Sequence, residues 1–115
     1  MIRMIEFRPL MSKVDMVPQA ILKCSVERFA QTFGSFVEDH DALDYFTGAA
    51  FSLDNHYQFA LIHHRGDRNN TTTVYLPGTM DDVDTITRVV RNIVNDLDLP
   101  PQAILWQRAD GVKVI

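Results

Sequence analysis

Apolar residues recur at Val83, Ile86, Val90, Ile93 and Leu97, in steps of 3, 4, 3 and 4. That spacing lays one stripe along a helix of 3.6 residues per turn and predicts an amphipathic helix. Thr79 heads it as an N-cap, Asp82 three residues on approximates a capping box, and Asp81, Asp82 and Asp84 suit the positive helix start. Pro100-Pro101 stops it. A second stripe, Leu22, Val26, Phe29, Phe33 and Phe36, steps by 4, 3, 4 and 3 with Ser25 as N-cap, and the acidic run Glu38-Asp39-His40-Asp41 ends it.

Between the helices the pattern changes. Residues 45–53 and 57–65 are rich in aromatic and aliphatic residues and flank Asp54-Asn55-His56, which predicts a hairpin. Residues 66–70 read as a polar loop, 71–76 as a third strand, and Pro77-Gly78 breaks it. In the run 57–65 both alternating sets are apolar, so this strand is expected at the sheet centre. Residues 2–8 alternate imperfectly and read as a short strand. Pro18 either opens a helix or precedes an extended run over 20–24. Residues 103–108 read as a strand, Asp110-Gly111 as a two-residue turn, and 112–115 as the returning strand. The segment Pro18-Gln19-Ala20-Ile21-Leu22 recurs as Pro101-Gln102-Ala103-Ile104-Leu105, an echo too short for a duplication.

Consecutive strands joined by short loops pair antiparallel. The expected fold is therefore an α+β two-layer sandwich: a mainly antiparallel sheet of five or six strands with two helices on one face, in the order β-α-β-β-β-α-β-β. The apolar opposite face calls for a further cover. The 115 residues fit one domain, 1–115.

Composition narrows the class. At 46% apolar and 23% charged, the chain is an ordinary globular sequence, with no apolar run of the ~18 residues a membrane span needs. Eleven basic against fifteen acidic residues give a net charge of −4, which argues against a nucleic acid partner because such binders neutralise phosphates. Twelve of the acids are Asp, a residue that favours caps and turns. A single cysteine, Cys24, and an N-terminal segment unlike a signal peptide lead to the expectation of a cytoplasmic protein.

Candidate chemistry is sparse. His63 and His64 are adjacent on a strand and face opposite ways, and His40 and His56 share no ligand spacing with them, so no metal or other cofactor is expected. The stretch 65–73 gathers two guanidiniums, two amides and three hydroxyls, and could hold an anion, although it lacks the glycines of a phosphate loop. A small enzyme or a binder of anions or nucleotides could be built there from His63, His64, Arg65, Arg68 and Thr73, with an imidazole as base and a guanidinium for a developing anion.

Two other features point to a protein partner. Glu38, Asp39, Asp41 and Asp44 crowd one connection, and an acidic face steers a basic partner. Tyr57, Tyr75 and Trp106 fall in strands, and such residues are favoured at interface hot spots. In size, charge and α+β character the chain resembles the small acidic immunity proteins with which bacteria neutralise toxins, nuclease toxins included. That resemblance rests on no shared motif and carries no residue roles. It implies a protein-binding inhibitor whose partner is basic. The alternatives are the small enzyme or ligand binder above and a structural homodimer built through the sheet.

Overall fold

The computed structural model describes residues 2–34, 36–40, 45–54, 56–66 and 70–113. In chain order the elements are β1 (Ile2–Ile5), α1 (Phe7–Lys13), β2 (Met16–Lys23), α2 (Glu27–Phe33), β3 (Val37–His40), β4 (Tyr45–Leu53), β5 (Tyr57–His64), β6 (Thr71–Pro77), α3 (Val83–Asp96), a 3-10 turn (Pro101–Ala103), β7 (Ile104–Gln107) and α4 (Arg108–Lys113). The fold is α+β, with one antiparallel sheet of seven strands in the order β1-β4-β5-β6-β2-β7. β3 pairs with β4 beside β1: β3 takes Tyr45 to Gly48 and β1 takes Ala50 to Leu53.

The hairpin β4–β5 and the third strand β6 form where the alternation places them, and β5 lies between its two neighbours with both faces covered. The larger core lies on one face. There α3 sets Ile86, Val89, Val90, Ile93 and Val94 against Phe51, Phe59, Leu61 and Leu22, and α2 adds Phe29. Phe33 and Phe36 both meet Phe51 edge-on, and Phe51 stacks on Phe59 at 5.2 Å. A smaller core of Phe7, Leu10, Ala50, Ala60 and Ile62 lies on the other face beneath α1.

Several expectations are corrected. The first strand ends at Ile5, and Phe7 and Arg8 belong to α1. Pro9 is tolerated there because it sits in the first turn, where backbone N–H groups have no helical acceptor. Residues 18–24 are extended, not helical: Pro18 lies in β2 opposite Tyr75, at a register shift before Ala20, a bulge being one of the few sheet positions open to proline. Leu22 is thus a strand residue, and α2 stops at Phe33, followed by Gly34 at φ 108°, a backbone region that favours glycine. Glu38, Asp39 and His40 are not a connection but strand β3.

Asp82, not Thr79, caps α3, accepting from Thr85 N at 3.2 Å and from the Thr85 hydroxyl. The last strand spans only Ile104–Gln107, and Arg108 to Lys113 are helical where a turn and a returning strand were expected; residues 114 and 115 lie outside the described residues. Among the described residues no helix is long and apolar enough to cross a membrane.

Candidate functional site

Register decides which side chains meet. Across β3, β4 and β5, Glu38, Thr47 and His63 form one row, and Asp39, Phe46 and His64 the next. Neighbouring rows face opposite ways. Glu38 and His63 therefore share the face of α2 and α3, whereas Asp39 and His64 share the face of α1. Asp39 accepts from Arg8 of α1 at 3.2 Å and from His40 N at 2.9 Å. The His40 amide, then the Arg8 guanidinium, hold its carboxyl below the usual carboxylate range. The acidic run is thus split between two faces, with Asp39 engaged in a local structural contact; Asp41 and Asp44 lie outside the described residues.

The polar stretch is divided in the same way. His63 donates from Nδ1 to the Thr71 carbonyl at 2.7 Å, a bond that fixes its tautomer. Arg65 sits 5.3 Å from the Tyr45 ring centroid, and His40 meets the same ring edge-on. His64 packs against Phe46, and Thr73 pairs with Ile62 on the α1 face. His63 and Arg65 are consequently on one side of the sheet and His64 and Thr73 on the other, so they do not converge on a single substrate. Arg68 lies outside the described residues. Among the described residues no three His, Cys, Asp or Glu side chains cluster as metal ligands. Cys24 is buried, and desolvation pushes its thiol up; Thr72 donates to the Cys24 carbonyl at 2.8 Å.

The aromatic residues also separate. Tyr57 packs on the larger core and Tyr75 on the smaller. Trp106 stands apart on β7, opposite Ile21 of β2. β7 is an edge strand, and its outer side has no strand partner among the described residues. The register shifts opposite Ile21 and Leu22, so Leu105 is an extra residue on β7 and swings outward. Leu105 is 53% exposed and Trp106 44%. Beside them runs a groove of about 460 Å³ between β7, the outer side of α3 and α4, with Val94 and Leu99 in its wall and Arg91 and Asp110 on its rim. Neither Arg91 nor Asp110 makes an ion pair among the described residues. Gln107, also at the groove, buries its Oε1 without a hydrogen-bond partner.

Sequence reasoning found Trp106 but missed Leu105, Arg91 and Asp110. A usable signal was present: two large apolar residues adjacent in a short strand are both buried only if both faces of that strand are covered. Comparison of the chain with known protein families, with curated proteins and with solved structures gives no match.

Proposed function

We propose that the domain is a protein-binding module that takes an extended segment of a partner along the free edge of β7, anchored by Leu105 and Trp106. The observation that carries this reading is the exposure of two large adjacent apolar side chains on an edge strand whose outer side has no strand partner among the described residues. Edge strands offer unpaired N–H and C=O groups to an incoming strand, and aromatic and aliphatic anchors supply specificity. Arg91 and Asp110 would set the partner's register through complementary charges, and a donor on the segment would satisfy Gln107. The net charge of −4 favours approach by a basic partner. An inhibitor that neutralises a basic enzyme, such as a nuclease toxin, is the form this function would take.

A second reading uses the same edge. Opposite charges on one rim suit a two-fold contact between copies, with Arg91 of one chain meeting Asp110 of the other. Sedimentation over a wide concentration range separates the two. The first reading expects a monomer whose β7 amides gain exchange protection when partner is added, with Leu105→Ser and Trp106→Ala together abolishing that protection. A dimer dissolved by the same substitutions would instead establish the second reading. A partner bound equally well by the doubly substituted chain overturns both.

A further inference from the structure

A second cavity, of about 530 Å³, lies at the other end of the sheet, where pairing between β5 and β6 stops at Ala60 and Tyr75. Its polar lining is Arg3, Ser52, His56, Gln58 and Thr79, and Ile5, Pro77 and Met80 also line it. The register explains the gathering: Arg3 of β1, Ser52 of β4 and Gln58 of β5 form one row across three strands on the α1 face. His56 closes the β4–β5 turn through its N–H to the Leu53 carbonyl at 3.0 Å, and Thr79 follows β6.

All five carry hydrogen-bond donors, and none of these side chains has a hydrogen-bond or ion-pair partner among the described residues. No carboxylate is among the residues lining the cavity. In a chain of net charge −4, this is a local reversal of sign. Ser52 is the most telling of the set. It is only 6% exposed, in the middle of a sheet, and its hydroxyl opens on the cavity with no acceptor or donor of its own. Solvent reaches this hydroxyl through the cavity, so a ligand that displaces the water can take its hydrogen bond.

We propose that this cavity binds the phosphate group of a phosphate monoester. The Arg3 guanidinium fork, two hydroxyls, the Gln58 amide and the His56 imidazole outnumber the donors a carboxylate needs and suit the three oxygens of a phosphate. The volume falls in the range of small-molecule sites. This ligand site is separate from the β7 edge and does not depend on the protein-binding reading.

The test is an amide NMR titration of the whole chain with adenosine monophosphate, adenosine and inorganic phosphate as three separate probes. The expected result is saturable shifts at Ser52, His56, Gln58 and Thr79 with adenosine monophosphate and with inorganic phosphate, and binding at least roughly tenfold weaker for adenosine, which lacks the phosphate. Arg3→Ala and Ser52→Ala should each weaken the nucleotide roughly tenfold. Ser52→Ala should do so with no loss of thermal stability, because its hydroxyl holds no partner in the fold. A merely structural serine would show the reverse. Absence of saturable shifts at millimolar nucleotide, shifts that map elsewhere, equal affinity for adenosine, or undiminished binding by both variants would each overturn the assignment.

Discussion

Replacing Gly48 with alanine would put a methyl carbon 2.8 Å from two ring carbons of Phe7. Carbon atoms rest at about 3.5–4.0 Å, so ring or strand must give by about 1 Å. Phe7 has little room: it is 7% exposed, lies 6.0 Å from Phe46 centroid to centroid, and shares the smaller core with Leu10 and Ala50. Overpacking of this kind costs about 1–3 kcal/mol. Alanine returns ~0.4–1 kcal/mol by restricting the unfolded chain, since Gly48 does not use a left-handed backbone. The net expectation is a loss of about 1–2 kcal/mol, read by urea unfolding, with a thermal midpoint lowered by about 3–8 °C. Phe7→Leu removes the obstructing ring edge, so the pair Gly48→Ala and Phe7→Leu should be more stable than the sum of the single effects, by about 1 kcal/mol. A Gly48→Ala chain as stable as the parent, or strictly additive substitutions, would refute the packing of α1 against β4.

The other expectations concern the larger core and its edges. Ile93→Ala empties a fully buried position between α3 and the sheet and should cost about 2–5 kcal/mol by urea unfolding. Thr72→Val keeps the shape but removes the donor to the Cys24 carbonyl; a loss of about 1–3 kcal/mol is expected, with an unchanged circular dichroism spectrum. The Cys24 thiol, raised by burial, should react with a chromogenic disulfide far more slowly in the native protein than in urea. Hydrogen bonds from the Thr85 side chain and backbone lower the Asp82 carboxyl, so its contribution is present above the unfolded value of ~3.9 and lost as pH falls through the folded value. Asp82→Ala should accordingly lower the urea midpoint at neutral pH, with the difference closing in acid.

What the sequence revealed follows from length. α3 and the strands β4, β5 and β6 run long enough for a period of 3.6 or 2 to repeat, and their local pattern agrees with the final packing. α1 does not: seven residues with a proline inside bury only Phe7 and Leu10, which any short segment could match. β3 reads Val-Glu-Asp-His, three polar residues in four, and is a strand because β4 offers it a backbone edge, where charged residues are tolerated. Trp106 was visible as a strand aromatic. Its exposure was not, because that depends on β2 standing between β6 and β7, a pairing across more than eighty residues that no local pattern contains.

That same placement of β2 governs how the chain can acquire its structure during translation. β2 is complete at Lys23, yet the strands that flank it begin at Thr71 and Ile104. A nascent chain therefore carries an eight-residue strand that finds its first neighbour only after about fifty further residues are made, and its second only after about eighty. Until β7 emerges, the far side of β2 is a bare template for another chain, so a polypeptide cut short in α3 should be more prone to aggregate than its composition suggests.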